Sequence, residues 1–325
     1  MKEIKWAVLG CGVIANEMAV ALQKNGKNIY AVGNRTHEKA AAFAEKYGIG
    51  KVYDDFHEMF TDPEVDVIYI TTPHNTHLGF MKEAIANGKH ILVEKSITLN
   101  SDELDEAIAL AKEKDVIIGE AMTIYHMPIY KELKKILDSG RLGRGNLITM
   151  NFGSFKEFNM KNRFFNRNLA GGAMLDIGVY ALSFLRWFFD SKPDQLLSQV
   201  KPAPTGVDEQ AGLLLTNQEG QMASVMLSLH SKQPKRGMVS CENGFIEIME
   251  YPRAWEAKIT DASTGESEII KAGDNADALA YELADMERAI NGDASAMHLD
   301  YTKDVMDLMT SFRRTWGYTY PEEEK

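Results

Sequence analysis

The chain has 325 residues, of which 45% are hydrophobic and 26% are charged, and its formal net charge is −11. This length fits about two domains, and the composition excludes a wholly disordered or fibrous protein. The acidic balance, with 36 Lys and Arg against 47 Asp and Glu, argues against a nucleic-acid-binding protein, which needs a basic face for the phosphates.

The first third of the chain alternates strand-like and helix-like patterns. The stretch 66–71 is continuously apolar rather than alternating, which is typical of a strand buried on both faces. The predicted strands are 4–10, 28–33, 66–71, 90–93 and 116–119, and the predicted helices are 13–25, 37–47, 76–87 and one that begins at Ser101. This alternation predicts an α/β fold, with a Rossmann-type doubly wound parallel sheet in a domain over residues 1–122.

The pattern changes near residue 122. Strand-like segments then follow at short spacing, at 146–155, 195–201, 210–217, 222–230, 237–242, 245–249 and 254–260. Helices are predicted at 128–137, 173–189, 276–290 and 301–318. The sequence therefore predicts a second domain over residues 123–325, of α+β type, with a large, mostly antiparallel open sheet.

Two cysteines, Cys11 and Cys241, form neither a disulfide framework nor a zinc motif, which favours a reducing cytoplasm. The apolar stretch 6–9 before Cys11 superficially resembles a lipoprotein signal peptide. Four residues are fewer than the ~7–15 of a signal core, and no apolar run approaches the ~18 residues of a membrane span. We therefore expect a cytoplasmic protein.

A G-x-G-x-x-A sequence, Gly10 to Ala15, ends the first predicted strand and opens the first helix. This is the context that a dinucleotide-binding turn needs. Its glycines permit a tight turn and close approach of the backbone to a pyrophosphate, and the helix N-terminus supplies N–H groups and partial positive charge. The pattern predicts dinucleotide binding, and a plain strand-to-helix turn is the alternative.

The end of the second strand bears on the choice between NAD and NADP. An NAD site usually has Asp or Glu about 20 residues after the fingerprint, bonded to the ribose. Asn34 and Arg35 stand there instead, and residues 33–36 contain no carboxylate. Because arginine pairs with a 2′-phosphate, we predict a preference for NADP, with NAD possible. In the alternative, Arg35 is solvated and Glu38 binds the ribose.

Three further motifs follow in order, at 71–77, 94–96 and 171–180. Together with the glycine-rich turn, this ordered set resembles the Gfo/Idh/MocA oxidoreductases, the family of glucose–fructose oxidoreductase and inositol dehydrogenase, over essentially the whole chain. The D-x-G-x-Y form of the third motif is most similar to the branch with dihydrodiol, NADP-linked xylose and glucose–fructose enzymes. Other branches carry histidine at the position of Tyr180.

The resemblance implies hydride transfer between the nicotinamide and a carbinol or ketone carbon of a sugar, polyol or related cyclic alcohol, without a metal. It also implies a homodimer or homotetramer formed through the large sheet of the second domain. The residues that it places at the cofactor are Gly10, Gly12, Val13, Ile14, Asn34, Arg35, Thr72, His77, Glu94 and Lys95, together with Arg163 and Tyr281, where relatives also contact it.

Lys95 ends a parallel strand at its carboxyl side, where ligands bind in open α/β sheets. Beside an oxidised nicotinamide and partly desolvated, its ammonium should have a lowered pKa, which suits a proton shuttle or a donor to the substrate hydroxyl. A surface lysine paired with Glu94 is the alternative. The family usually has proline after this lysine, but Ser96 stands here, and it neither fixes the backbone dihedral nor removes the N–H.

Asp176 and Tyr180 are four residues apart and share a face of a helix. The glycine pair before them would let the backbone approach a ligand. We predict that Tyr180 donates the proton during ketone reduction with its phenolate stabilised by Lys95, and that Asp176 binds substrate hydroxyls or positions Lys95. Proton transfer by Lys95, or a merely structural helix cap and core tyrosine, are the open alternatives.

His74 and His77 are three residues apart, a possible metal spacing, but no third ligand is apparent and no metal is predicted. His77 is expected to hold the nicotinamide side. The alternative to an enzyme is a non-catalytic NADP-binding sensor of the same fold, as the yeast galactose co-repressor is within this broad family. The presence of Lys95, Asp176 and Tyr180 favours the enzyme.

Overall fold

The computed structural model describes residues 3–324. Their backbone separates into two compact units. The first unit contains the residues up to Ala121 together with Leu279–Leu299, and the second contains Met122–Ala278 together with the residues from Asp300 onward. The segment Leu279–Leu299 thus packs with the first unit, although in sequence it follows most of the second.

A six-stranded, all-parallel sheet forms the centre of the first unit, in the order β3-β2-β1-β4-β5-β6. Strand order reverses beside β1, which pairs with both β2 and β4. The strands are β1 (Trp6–Leu9), β2 (Ala31–Gly33), β3 (Lys51–Tyr53), β4 (Val67–Ile70), β5 (His90–Glu94) and β6 (Ile118–Ala121). The central strands are buried throughout, as their continuous apolar runs predict, and the doubly wound sheet is confirmed.

Helices join these strands and cover the sheet. They are α1 (Val13–Lys24), α2 (His37–Tyr47), α3 (Phe56–Thr61), α4 (His77–Ala86) and α5 (Ser101–Lys114). Asn100 caps α5, because its side chain accepts the N–H of Glu103 at 2.9 Å, and Gly48 ends α2 with a φ of 68°. The elements β3 and α3 are too short to show a periodic pattern and are not predicted from the sequence.

An eight-stranded sheet forms the centre of the second unit, in the order β14-β13-β12-β11-β7-β10-β9-β8. Its strands are β7 (Gly145–Gly153), β8 (Gln195–Pro202), β9 (Asp208–Thr216), β10 (Met222–Ser228), β11 (Arg236–Cys241), β12 (Gly244–Met249), β13 (Glu256–Asp261) and β14 (Ser267–Lys271). Adjacent strands are antiparallel except for β7 and β10, so the mostly antiparallel sheet is confirmed. The edge strand β14 is mostly exposed and lacks the alternation that would have predicted it.

The remaining helices are α6 (Thr123–His126), α7 (Pro128–Asp138), α8 (Val179–Phe188), α9 (Ala278–Ile290) and α10 (Leu299–Trp316). A π-helical turn, Met174–Gly178, precedes α8. The expected helix over 173–189 is therefore present, with a π-helical rather than an α-helical first part. Glycines at 171, 172 and 178 weaken the preference for a regular α-helix there.

One helical stretch, Arg167–Phe188, is long and apolar enough to meet a membrane-span criterion, with a mean hydropathy of 1.3. The prediction that no apolar run approaches the length of a membrane span does not extend to this stretch. Of its most apolar window, 83% is buried inside the protein, so the stretch is accounted for as a core helix.

The two faces of the eight-stranded sheet differ in exposure. Side chains alternate along each strand, and one set, including Ile148, Val225 and Ile246, is buried. On the opposite side, which we call the open face, Leu214 and Met226 are 49% and 55% exposed. Further exposed apolar residues of this sheet are Leu147, Leu197, Met222 and Met249.

Candidate active site

The glycine-rich turn of the first unit is held by the protein at one end and open at the other. Gly10 has a φ of 108°, and a Cβ there would lie 2.5 Å from Oγ1 of Thr71. Its N–H donates to the carbonyl of Gly33 at 2.8 Å. Around Gly12, which caps α1, a Cβ would meet nothing within 4 Å. The turn is therefore tight at Gly10 and approachable at Gly12.

This turn fits the phosphate groups of a dinucleotide. The N-terminus of α1 presents backbone N–H groups and the positive end of the helix dipole, and Val13 there is 79% exposed. Burial raises the pKa of the Cys11 thiol to about 11, although Lys39 opposes this effect. The thiol is therefore neutral at physiological pH and adds no negative charge beside an anion.

The residues after β2 lie at the surface of the first unit. The side-chain amide of Asn34 donates to the carbonyl of Thr36 at 3.0 Å. The Arg35 side chain is exposed, and among residues 3–324 no carboxylate pairs with its guanidinium. Glu38, the alternative ribose ligand, is also exposed, in the first turn of α2. The cation is available to an anionic ligand, and this geometry leaves the choice of ribose ligand open.

Two histidines hold the backbone after β5. A ring nitrogen of His74 lies 2.9 Å from the carbonyl oxygen of Lys95. His77 is fully buried, with Nε2 2.8 Å from the carbonyl of Thr72 and Nδ1 3.1 Å from that of Ser96. Burial lowers the pKa of His77, while the carbonyl oxygens act in the opposite direction. Both ring nitrogens of His77 thus lie at hydrogen-bond distance from backbone carbonyl oxygens. We therefore expect His77 to support the cofactor site by holding this backbone in place.

The backbone around Lys95 is fixed although serine replaces proline. The Lys95–Ser96 peptide bond is cis, and Ser96 is completely buried. The N–H of Ile97 donates to the Glu120 carboxylate at 3.0 Å, and the hydroxyl of Tyr69 donates to Glu94. These bonds, with the two histidines, hold the segment that carries Lys95, and its side chain is half-buried.

In the second unit, Asp176 lies within the π-helical turn and Tyr180 follows in the first turn of α8. Nη2 of Arg163 is 3.3 Å from Oδ1 of Asp176, and the two side chains are 57% and 12% exposed. π-Helical turns inside helices occur frequently at functional sites. Arg163, Asp176 and Tyr180 thus belong to one neighbourhood, which the spacing of the motif only partly predicts.

The ring of Tyr180 lies among aromatic side chains. Its centroid is 6.1 Å from that of Phe152, which in turn lies 5.9 Å from that of Tyr251. Burial raises the pKa of Tyr251 well above its ordinary value, and the charges of Tyr180 and Glu250 raise it further. Tyr180 is only half-buried, so its side chain remains reachable.

The glycine pair before Asp176 is required by the protein itself. A Cβ at Gly171 would lie 2.7 Å from the carbonyl oxygen of Arg163. Gly172 has a φ of 126°, and a Cβ there would lie 2.1 Å from Oδ1 of Asp208. Packing of the protein itself therefore requires both glycines, and the approach of a ligand to this backbone stays a prediction.

Sequence reasoning missed the buried residues behind this turn. Asp208 and Tyr320 are fully buried, and Tyr318 donates its hydroxyl to Asp208. The glycine pair indicated that some group approaches the backbone closely, but it did not indicate that this group is Asp208. No motif marks Asp208, which is 34 residues from Met174, the residue whose N–H it accepts.

The predicted cofactor residues divide between the two units. Those of the first unit follow the adjacent strands β2, β1, β4 and β5, and Tyr281 lies in the part of α9 that packs there. Arg163 belongs to the second unit. Among residues 3–324, no cluster of three or more His, Cys, Asp or Glu could hold a metal ion.

Two family models match the chain. The model of the oxidoreductase family with an NAD-binding Rossmann fold matches residues 4–122, and the GFO/IDH/MocA C-terminal domain matches residues 130–247. Trans-1,2-dihydrobenzene-1,2-diol dehydrogenase from Xenopus tropicalis is 31% identical over 248 residues, which are 75% of this chain and 74% of that protein. The mouse enzyme of the same name is 26% identical over 335 residues, covering 99% of both.

Solved structures share the fold. A 3-ketoreductase from Actinomadura kijaniata, in complex with NADP and TDP-benzene, superposes with a TM-score of 0.84 at 20% identity, covering 97% of this chain and 98% of its own. Aldose-aldose oxidoreductase from Caulobacter crescentus, complexed with glycerol, gives a TM-score of 0.84 at 21% identity, covering 98% and 100%.

Fold, turn and matching models together define an NAD(P)-dependent dehydrogenase or reductase of the type that acts on CH–OH groups. The chain belongs to the Gfo/Idh/MocA family of oxidoreductases. The resemblance noted in the sequence is thereby confirmed, including its likeness to the branch with dihydrodiol dehydrogenases.

Proposed function

We propose that this protein is an NADP-dependent oxidoreductase that interconverts a hydroxyl and a ketone in a sugar, a polyol or a cyclic diol. The observation that carries the proposal is the position of Asp176 in the π-helical turn and of Tyr180 in the first turn of α8 that follows it. The names of the relatives, dehydrogenases of a dihydrobenzene diol and an aldose-aldose oxidoreductase, support the substrate class.

When bound, the nicotinamide supplies a hydride acceptor or donor for the carbon that carries the reacting oxygen. In our proposal, Tyr180 gives or takes the proton at that oxygen, and the Lys95 ammonium donates a hydrogen bond that orients the substrate. Asp176, fixed by Arg163, accepts hydrogen bonds from neighbouring substrate hydroxyls. A substrate with vicinal hydroxyls would use both functions.

The preference for NADP is proposed from Arg35. Its guanidinium is exposed beside the end of β2, and no carboxylate of residues 3–324 pairs with it. A planar guanidinium matches a 2′-phosphate with two parallel hydrogen bonds, which the 2′-hydroxyl of NAD cannot offer.

A hydride-transfer screen tests the proposal. The purified protein is incubated with NADP or NAD and a panel of aldoses, inositols and cyclic diols, and the absorbance of the reduced cofactor is followed. Turnover with at least one of these substrates, faster with NADP, is expected. Tight NADP binding without turnover on any member of the panel would contradict the enzyme and favour a sensor.

We also propose self-association through the open face of the eight-stranded sheet. Exposed Leu214 and Met226 lie on neighbouring strands, and contiguous exposed apolar surface marks interaction sites. Met226→Lys should reduce the mass measured by light scattering, whereas Val20→Lys, an equally exposed apolar residue of α1, should not. An unchanged mass for Met226→Lys would place the interface elsewhere.

Finally, we propose a reducing cytoplasm as the location. Cys11 and Cys241 are free thiols, and burial raises the pKa of each to about 11. Fractionation of the native host, with immunodetection of the protein, tests this location. Recovery in a membrane or exported fraction would contradict it.

A further inference from the structure

Side chains from two distant parts of the second unit contact the glycine turn that precedes Asp176, or support a side chain that does. One carboxylate oxygen of Asp208 accepts the N–H of Met174 at 2.6 Å, and the other accepts the hydroxyl of Tyr318. The hydroxyl of Tyr320 donates to the carbonyl of Gly171 at 2.8 Å. Two hydrogen bonds thus hold the turn, one on each side of Gly172, and the third ties Asp208 to Tyr318.

The segment that supplies the two tyrosines, residues 318–323, is itself anchored. Arg313 of α10 is 2% exposed and binds both carboxylate oxygens of Glu323, at 2.8 and 2.9 Å. Glu323 also accepts the N–H of Tyr320 at 2.7 Å, and the Arg313 guanidinium lies 4.6 Å from the ring centroid of Tyr320. This buried ion pair anchors the segment to α10.

We propose that Asp208, Tyr318 and Tyr320 are positioning residues, which set the direction in which Asp176 and Tyr180 project from the start of α8. Met174 is the first residue of the π-helical turn, so the bond that holds its N–H also bears on the direction of Asp176, two residues further on. The kinetic part of this inference rests on the proposed function. The structural part does not.

A buried carboxylate caps a helix at a cost in stability, because taking its charge out of water is unfavourable by several kcal/mol. Serine or asparagine would cap the turn without that cost. A carboxylate, however, accepts hydrogen bonds on both oxygens and can hold the amide and the Tyr318 hydroxyl together. The choice of aspartate at position 208 is explained if the turn must be tied to the segment 318–323.

The charged and titratable groups around Asp208 agree with an ionised state at neutral pH. Burial raises the pKa of Asp208 to about 6, and the hydrogen bonds from Tyr318 and Met174 and the charge of Arg313 limit this rise. The pKa of Tyr318 is raised well above its ordinary value by burial, so Tyr318 stays protonated and keeps donating. Tyr320 stays protonated in the same way.

The test compares Tyr318→Phe and Asp208→Asn with a matched control, Tyr130→Phe. Tyr130 is also fully buried in the second unit and donates its hydroxyl to a backbone carbonyl, that of Tyr251, away from the glycine turn. The first readout is native-state hydrogen exchange of the peptide spanning residues 171–180. Exchange there should accelerate in Tyr318→Phe and Asp208→Asn and remain at the wild-type rate in the control.

The second readout is kinetic. Misplacement of a catalytic group by about 1 Å can cost about a hundredfold in rate, so we expect kcat to fall about 10- to 100-fold in Tyr318→Phe and Asp208→Asn. The Kd of NADPH, measured by fluorescence, should change less than about twofold, because these residues are proposed to orient catalytic groups and not to bind the cofactor.

Unchanged exchange at 171–180 in Tyr318→Phe and Asp208→Asn would overturn the inference, whatever the activity. Faster exchange with unchanged kcat would overturn it too, because the turn would then not control catalysis. If the wild type turns over no substrate while exchange still responds, the proposed function fails and the structural part of the inference stands. Tyr318→Phe removes only one hydroxyl, so it provides the test by itself if Asp208→Asn does not fold.

Discussion

Nη2 of Arg163 lies 3.3 Å from Oδ1 of Asp176, and this pair joins a residue predicted to bind cofactor to one predicted to bind substrate. Arg163 is more than half exposed, so the ion pair contributes little to stability. The role of the ion pair is to orient Asp176, because Arg163 holds its carboxylate from one side.

A double-mutant cycle separates the two roles of Arg163. If Arg163 serves Asp176, Arg163→Ala should lower kcat/KM in the wild type but have little further effect in Asp176→Asn. The coupling expected for such a pair is about 0.5–1 kcal/mol. A loss of NADPH affinity that is equal in both backgrounds would instead show that Arg163 acts on the cofactor.

The second prediction concerns proton transfer. Tyr180→Phe should lower kcat by about a hundredfold or more, because a general acid or base contributes about 10²–10⁴ in rate. The Kd of NADPH should not change. Lys95→Met should lower kcat less than Tyr180→Phe if Lys95 only orients substrate. A larger loss in Lys95→Met would assign the proton to Lys95.

Cofactor preference gives the third prediction. Arg35→Ala should weaken NADPH binding about 10- to 100-fold, the equivalent of about 1.5–3 kcal/mol for a charged hydrogen bond, and leave NADH binding nearly unchanged. Lys46→Ala controls for the loss of a positive charge from the neighbouring α2. If Glu38→Gln weakens NADH binding while Arg35→Ala affects neither cofactor, Glu38 is the ribose ligand.

The fourth prediction uses two glycines of the second unit with positive φ. Gly172→Ala and Gly220→Ala both force alanine into an unfavourable backbone conformation, at φ values of 126° and 77°. A Cβ at Gly220 meets nothing within 4 Å, whereas at Gly172 it meets Asp208. We expect losses of about 1–2 kcal/mol at Gly220 and about 3–5 kcal/mol at Gly172, measured by urea denaturation. Equal losses would show that Asp208 gives way.

The pH dependence of stability gives the fifth prediction. The folded protein raises the pKa of Asp208 to about 6 from its ordinary value of 3.8. Between these values the folded state keeps a proton that the unfolded state has lost, so this group's contribution to the free energy of unfolding falls as pH rises from about 4 to about 6. The fall is about 3 kcal/mol, at 1.36 kcal/mol for each pKa unit.

Asp208→Asn cannot lose this proton, so the stability of the wild type relative to Asp208→Asn should decrease across that interval and level off above it. Tyr318→Phe removes a hydrogen bond that lowers the pKa of Asp208, and should extend the decrease to higher pH. Urea unfolding at several pH values checks both expectations. A constant difference between the wild type and Asp208→Asn would contradict them.

The fold was predictable where local sequence controls it. The buried parallel strands of the first unit are continuous apolar runs, and the sheet of the second unit partly alternates. Four elements were missed. The elements β3, α3 and α6 are too short to show a periodic pattern, and β14 is too exposed to show alternating burial. Contacts decide such elements more than propensity does.

The site was predictable only as motifs. Lys95, Asp176 and Tyr180 lie in short recognisable stretches, but their support is distant in sequence. Tyr318 binds a carboxylate 110 residues away, and Tyr320 binds a carbonyl 149 residues away. No periodic or local rule connects such positions. The burial of His77 could not be predicted either. A histidine near a strand end can face a ligand or the backbone, and the local sequence does not distinguish the two.

The parallel pairing of β7 with β10 within the otherwise antiparallel sheet has a consequence for the lengths of chain that the fold tolerates. Two parallel neighbours cannot be joined by a tight turn, so the chain must make a long excursion before β10, and this excursion carries Arg163 and the π-helical turn. A change of chain length between β7 and that turn would be taken up within the excursion, so the register of every strand in the eight-stranded sheet would stay as it is.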